Sequence, residues 1–310
     1  MTTTEGYMGF VGVSTGSSSI MKVFPLWADI LGLPTKTLHG HDLPLDATTE
    51  DYQALVSEIR NDPNHRGALV TTHKMNLFQA ASTLFDEIDP FGVACHEISS
   101  ISKPGGKLVG RAKDPLTVAM ALDDFLPPNY FTTSGAEVLI LGAGGSGTAL
   151  SWALVHRTQD LPTKITVTAR SPHKLEELGQ VHATLGTAPG LITYESVAST
   201  EESDALVHAL PPGSLVVNAT GLGKDRPGSP LSDEVVFPID AYVWEFNYRG
   251  SLEFLHQATA QAEARNLQVI DGWRYFIHGW SQVIADVFEL DLTVDTIEEL
   301  AQAAETVRNS

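Results

Sequence analysis

Apolar and polar positions follow two different rhythms along this chain. In the second half, short apolar runs recur at 137–142, 164–169, 190–194, 214–219, 241–246 and 267–271, with helical stretches between most of them. Continuous runs of that length read as strands of a parallel sheet covered on both faces. Six of them in βαβ rhythm predict a doubly wound, mostly parallel sheet. The first half is a less regular α/β pattern. It predicts a strand over Met8–Val13, then a helix over Ile20–Leu31 stopped by Gly32 with Pro34 beyond. An amphipathic helix over Glu50–Ile59, a strand over Gly67–Thr71 and a helix from Met75 to Phe85 follow. Ile98–Ile101 and Lys107–Gly110 flank Pro104-Gly105-Gly106, a hairpin signal, and Pro115 suits the first turn of the next helix. Trp273–Leu290 reads as a strongly apolar helix with aromatic residues at helical spacing. Thr296 with Glu299 predicts a capping box for the last one.

The run Glu137-Val138-Leu139-Ile140-Leu141 leads straight into Gly142-Ala143-Gly144-Gly145-Ser146-Gly147 and then a helical pattern. Gly142, Gly144 and Gly147 carry G-x-G-x-x-G spacing between strand and helix, the context a dinucleotide site requires. The first glycine permits a tight turn, the second lets a pyrophosphate approach the backbone, and the third lets helix pack on strand. The N–H groups of the helix start then face the phosphates. The next strand ends in Thr168-Ala169-Arg170-Ser171-Pro172-His173-Lys174. A carboxylate at that place would accept the ribose 2′-hydroxyl of NAD, and none is present. Arg170, Ser171 and Lys174 suit a 2′-phosphate instead, which favours NADP(H) over NAD(H).

Composition narrows the partners. With 310 residues, 43% hydrophobic and 18% charged, the chain is long enough for two ordinary soluble domains. A formal net charge of -19 disfavours nucleic acid and anionic membranes. No apolar run approaches the roughly 20 residues of a membrane span, and Met1-Thr2-Thr3-Thr4-Glu5 shows no signal segment. The single cysteine, Cys95, excludes an intrachain disulfide and fits a reducing cytoplasm. His39-Gly40-His41-Asp42 reads as a loop without the further ligands that a metal site needs.

The order of parts resembles the shikimate and quinate dehydrogenase family over nearly the whole chain. Gly67-Ala68-Leu69-Val70-Thr71-Thr72-His73-Lys74 is similar to the family's G-x-N-V-T-V-P-H-K, and Gly110-Arg111-Ala112-Lys113-Asp114 to its G-x-N-T-D. Asn218-Ala219-Thr220-Gly221-Leu222-Gly223 resembles N-A-T-P-L-G, Trp244-Glu245-Phe246-Asn247-Tyr248 resembles V-D-L-V-Y, and Asp271-Gly272 matches a D-G pair. The resemblance implies an N-terminal α/β substrate domain, 1–115 completed by 272–310. It also implies a Rossmann-type NADP-binding domain over 116–271, with the C-terminal helices returning to the first domain. It places the catalytic lysine on Lys74 and the catalytic aspartate on Asp114. Asn218, Ala219 and Thr220 would border the nicotinamide, Gly272 would approach its amide, and Tyr248 would help hold substrate. Hydride transfer to or from an alcohol also moves a proton, which a Lys–Asp pair can orient and shuttle. Lys74 opens a helix, where dipole and apolar neighbours favour its neutral form.

The substrate-holding positions depart from that pattern. The family's two serines of H-S-x-S-P fall on Ser18 and Ile20, or, slipped by one, on Ser17 and Ser19. Its His-Asn becomes Phe24-Pro25, and its ring-contacting asparagine becomes Ser99 or Ser100. Its threonine becomes Val70 beside Thr71, and its C-terminal glutamine is replaced unless Gln282, one turn further on, substitutes. Buried donors left unpaired reject a ligand strongly, so these changes bear on specificity rather than chemistry. The expectation is a cytoplasmic NADP(H)-dependent oxidoreductase, monomer or homodimer, acting on a ring hydroxyl or ketone of a small cyclic acid or cyclitol. A ligand-binding sensor with the same fold and no turnover is the alternative.

Overall fold

The computed structural model describes residues 6–187, 190–224 and 226–308; the N-terminal five, where no signal segment is read, lie outside them. The chain divides into two compact units, Met1–Lys113 with Ile277–Ser310, and Asp114–Phe276. The first unit holds strands β1 (Tyr7–Gly12), β2 (Leu38–Asp42), β3 (His65–Val70), β4 (Glu87–Ile88), β5 (Ser100–Ser102) and β6 (Val109–Arg111). Their order in the sheet is β2-β1-β3-β5-β6-β4. β1 runs parallel to β2 and β3, whereas β5 is antiparallel to β3 and β6.

Val11, Val70 and Ile101 of this sheet pack with Tyr52, Leu55, Val56 and Ile59 of helix Thr49–Asn61, and with Leu77 and Ala81 of helix Lys74–Ala81. Helix Ile20–Leu31 ends, as its sequence predicts, at Gly32 in the left-handed conformation. Trp27 in its middle donates Nε1–H to Leu300 O at 2.7 Å, tying it to the last helix, Val294–Arg308. The cap of that last helix lies earlier than the sequence suggests. Thr293 Oγ1 accepts from the Thr296 N–H at 3.1 Å, so Thr296 sits inside the helix. The predicted Met75–Phe85 helix breaks at Ala81 into a short 3-10 turn over Ser82–Leu84.

Residues 39–42 form no loop: they are strand β2, paired in register with β1 from Met8↔Leu38 to Gly12↔Asp42. An edge strand needs only one covered face, so its single apolar residue gave too weak a signal. β4 and the short helix Pro90–Cys95 are likewise too brief to show a period.

The second unit holds β7 (Val138–Leu141), β8 (Ile165–Ala169), β9 (Ile192–Ser196), β10 (Leu215–Asn218), β11 (Tyr242–Glu245) and β12 (Gln268–Ile270). All six lie within or within two residues of the predicted runs, and the order β12-β11-β10-β7-β8-β9 is parallel throughout. Val138 and Ile140 point into one core, with Leu150, Leu154 and Trp244; Leu139 and Leu141 point into the other, with Val216, Val243 and Phe254. Burial on both faces explains the unbroken apolar runs. β7 has β8 on one side and β10 on the other, so the strand order reverses at its carboxyl end. In open α/β sheets that reversal is where ligands bind.

Candidate active site

Gly142 follows β7 with φ +113, and its N–H is held by Thr168 O at 3.0 Å. A Cβ there would lie 2.8 Å from the Ala219 carbonyl, because the loop after β10 packs directly on this turn. A Cβ on Gly147 would sit 2.1 Å from Gly142 O, so the helix Gly145–Val155 closes on the turn only without a side chain. Gly144 differs: a Cβ there would meet nothing. Open space lies over its backbone, and the N–H groups of Gly145, Ser146 and Gly147 begin a helix with no acidic residue in its first turn. That arrangement suits a pyrophosphate.

At the end of β8, Arg170 and Ser171 are exposed, and neither side chain has a polar partner among the described residues. Lys174 is engaged by Glu177 at 2.7 Å, and His173 also faces Glu177, at 3.3 Å. Arg170 and Ser171 are therefore the free donors at this end, and no carboxylate stands at the position that would take a ribose hydroxyl.

The loop after β10 is ordered by its own polar groups. Asn218 is fully buried; its Oδ1 accepts from the Thr220 hydroxyl at 2.6 Å and the Thr220 N–H at 3.1 Å. Its Nδ2 donates to Glu245 at 2.6 Å. Glu245 is also fully buried, and desolvation pushes its carboxyl up to about 7 against the hydrogen bonds it accepts. Tyr248, three residues on, lies with its ring 5.4 Å from Trp273 and 4.7 Å from Phe276, at the start of helix Trp273–Phe288. Gly272 precedes that helix and gives its N–H to Asn247 O at 3.1 Å.

In the first unit, Lys74 opens helix Lys74–Ala81 with its backbone pinned on both sides: its N–H reaches Thr71 O at 3.3 Å, and its carbonyl accepts from Ile98 at 3.2 Å. His73 before it is buried and held at both ring nitrogens, by Tyr52 at 2.7 Å and Leu43 O at 3.0 Å. Burial lowers its proton affinity and keeps it neutral. Asp114 begins the second unit as the first residue of helix Asp114–Phe125 and is 8% exposed. A carboxylate at a helix start is favoured by the dipole.

The substrate-binding candidates divide into free and committed groups. The hydroxyls of Ser18 and Ser19 and the amide of Gln282 have no partner among the described residues, while Ser17 reaches Ser14 O at only 3.5 Å. Thr71 donates its hydroxyl to Val11 O at 3.0 Å. Ser99, 2% exposed, donates to Arg111 O at 3.3 Å and accepts from the Lys113 N–H at 2.8 Å. Ser100 donates to Asp286 at 2.7 Å, and Arg111 pairs with the same carboxylate at 2.9 Å.

Several site-supporting residues escaped sequence reasoning. Asp42 accepts from the Thr15 N–H at 2.8 Å and hydroxyl at 2.6 Å, which anchors the serine loop and holds the carboxyl below its usual range. His41 stacks between His39 and His65, and no group of three or more His, Cys, Asp or Glu is placed for a metal among the described residues. Glu245 did leave a signal: it is one carboxylate in the otherwise apolar run Tyr242–Phe246.

No protein-family model matches the chain. Among curated proteins, the shikimate dehydrogenase (NADP(+)) of Sphingopyxis alaskensis is 29% identical over 265 residues, covering 84% of this chain and 83% of that one. That of Salinibacter ruber is 32% identical over 191 residues, 59% and 60% of the two chains. Among solved structures, quinate dehydrogenase from Corynebacterium glutamicum in complex with NAD matches at TM-score 0.76 and 18% identity, covering 97% of this chain and 99% of that one. Shikimate 5-dehydrogenase from Thermus thermophilus in complex with NADP(H) and shikimate matches at 0.69 and 22%, covering 96% and 99%. At those identities the structures speak for the fold alone. The sequence relatives point the same way: over most of its length the chain is similar to curated shikimate dehydrogenases, at 29% identity where the match covers 84% of it.

Proposed function

We propose that the protein is an NADP(H)-dependent oxidoreductase that interconverts a ring hydroxyl and a ketone on a small cyclic acid or cyclitol. The observation that carries the cofactor half is the glycine turn at the strand-order reversal, open over Gly144, with Arg170 and Ser171 unengaged one strand away. The residues fit the group. The first-turn N–H groups would hold its pyrophosphate, Arg170 and Ser171 its 2′-phosphate, and Asn218–Thr220 with Gly272 its nicotinamide end. Bound NADP(H) supplies or takes up the hydride.

The chain's own part is the proton. Lys74 and Asp114 act as a pair: the carboxylate of Asp114 directs the lysine, and Lys74 Nζ takes the hydroxyl proton as the ketone forms and returns it in reverse. A backbone pinned at Thr71, Ile98 and His73 limits how far that amine wanders, and preorganisation of this kind lowers the barrier. Ser17, Ser18, Ser19, Gln282 and Tyr248 carry substrate recognition, with Thr71 and Ser99 contributing what their internal bonds leave over. Committed hydroxyls at Ser99 and Ser100 favour a ring carrying a different set of polar groups from shikimate's.

The test is NADPH oxidation and NADP⁺ reduction followed optically across a panel of cyclic hydroxy and keto acids and cyclitols, with shikimate and quinate included. Turnover of a ring compound other than shikimate is expected. Efficient shikimate turnover would overturn the specificity argument, and tight NADPH binding without any turnover would favour a sensor.

A further inference from the structure

Glu245 closes β11 beside the loop after β10, and every hydrogen-bond partner it has among the described residues is a donor. Its Oε1 accepts from the Asn247 N–H at 2.8 Å and its Oε2 from Asn218 Nδ2 at 2.6 Å. The orientation of Asn218 is forced, because its other end faces the Thr220 N–H, which can only donate. Asn247 extends the network: its Nδ2 donates to Leu222 O at 2.9 Å, and its carbonyl accepts from Gly272. One carboxylate thereby ties together the loop Ala219–Gly223 and the turn at Asp271–Gly272. Asn247 stands where the resembled pattern has valine, so the link to Leu222 belongs to this chain's own sequence.

Neither of these bonds to Glu245 offers an acceptor to a proton on it, so protonation gains no partner there and turns charge-assisted hydrogen bonds into weaker neutral ones. Turning the Asn218 amide round would offer Glu245 an acceptor but set Nδ2 against the Thr220 N–H, and the Thr220 hydroxyl would lose its acceptor as well. Protonation therefore weakens the hold on the loop. A dinucleotide held in the way this fold holds one would cross the sheet at the β7 turn with its adenosine end at β8, and the β10 side would take the nicotinamide half. We propose that Glu245 is a positioning residue: its ionised carboxylate holds both nicotinamide-side segments, so that affinity for the nicotinamide half of the cofactor depends on proton release from this buried group.

The inference rests on the proposed cofactor reading. Glu245 titrates near neutrality because burial raises it and Glu253, on helix Glu253–Thr259, repels its charge. The other titratable or charged groups on the elements packed against β11 are His256 on that helix, Asp271 after β12, Asp114, Asp123 and Asp124 on helix Asp114–Phe125, and Arg274 and Tyr275 at the start of helix Trp273–Phe288. None of them is among the causes of the shift on Glu245.

The experiment titrates the full-length chain with NADPH and with 2′-phospho-ADP-ribose, which lacks nicotinamide, from about pH 6 to 8.5. The ratio of the two affinities removes the titration of the shared 2′-phosphate, near about pH 6. In the wild type the ratio should fall as pH drops through about 7, the value burial gives Glu245. E245Q mimics the protonated acid and should lose about tenfold in NADPH affinity at the alkaline end, as expected for charge-assisted hydrogen bonds, with the ratio now flat in pH. Its 2′-phospho-ADP-ribose affinity should stay within about twofold. N247V should show a smaller loss and keep the pH dependence, which holds the test open if E245Q does not fold. A wild-type ratio flat in pH, or equal losses of both ligands in E245Q, would overturn the inference. Failure of both ligands to bind wild type would instead bring down the cofactor reading itself.

Discussion

The two units treat their polar groups differently. At the carboxyl edge of the second sheet, donors are left unspent: the first-turn N–H groups after Gly144, the Arg170 guanidinium and the Ser171 hydroxyl. In the first unit three of the six candidate hydroxyls are spent on the protein. Thr71 holds β1, Ser99 holds the backbone at 111–113, and Ser100 holds Asp286. Open donors on a rigid backbone can serve any member of a family that uses the same cofactor. Committed hydroxyls serve first the fold that commits them. In the proposed reading, specificity in the first unit then falls to Ser17, Ser18, Ser19 and Gln282.

The largest effect that could break this comparison is at Lys74, the proposed proton-transfer group. Lys74→Ala should lower turnover by about 10³-fold while NADPH affinity stays nearly unchanged, measured by steady-state kinetics and fluorescence titration. An unchanged rate would remove Lys74 from the chemistry. Next come the glycines, which separate structure from binding. Gly147→Ala drives a methyl into Gly142 O and should cost about 3 kcal/mol in chemical denaturation. Gly144→Ala meets no protein atom, so its unfolding midpoint should match wild type while cofactor affinity drops. Equal stability losses in both variants would mean that the turn lacks the open face described above.

A smaller effect sharpens the cofactor assignment. Arg170→Ala should weaken NADPH by about tenfold and leave NADH alone, read from the two dissociation constants side by side. Matching losses would remove the 2′-phosphate from Arg170. Smallest is a difference in acid sensitivity. Burial pushes His65 in the first unit down to about 3 and His182 in the second to about 4, against 6.5 when unfolded. Both are neutral in the fold, so the stability each contributes is complete above 6.5 and is lost as pH falls below it. Thermal unfolding between about pH 7 and 5 should show that slope, reduced in His65→Gln, if burial without a charge partner is the cause.

Legibility followed the number of faces a segment buries. The inner strands β7, β10 and β11 of the second sheet bury both faces, and each left a nearly unbroken apolar run. β2 buries one face at a sheet edge, and its histidines concealed it. The start of the last helix was misplaced because Thr293 and Thr296 both fit a cap, and only the backbone path chooses between them. At the site, the glycine spacing and the missing ribose carboxylate could be read directly. The state of the serine hydroxyls could not, since a hydrogen bond between Ser100 and Asp286 spans 186 residues of chain.

By itself the sequence determined what depends on local composition: the parallel strands, the G-x-G-x-x-G turn, the absence of an acid after β8, and the lysine at a helix start. Each follows from sterics, periodicity or charge within a few residues. Tertiary structure alone decided which polar groups remain available. Asp42 is drawn to Thr15, Asp286 to Ser100, and Glu245 to Asn218 from separate strands and helices. A donor's freedom is settled by whatever the fold brings within hydrogen-bond reach, and a buried carboxylate at the end of β11 acquires its meaning only from the two segments it holds.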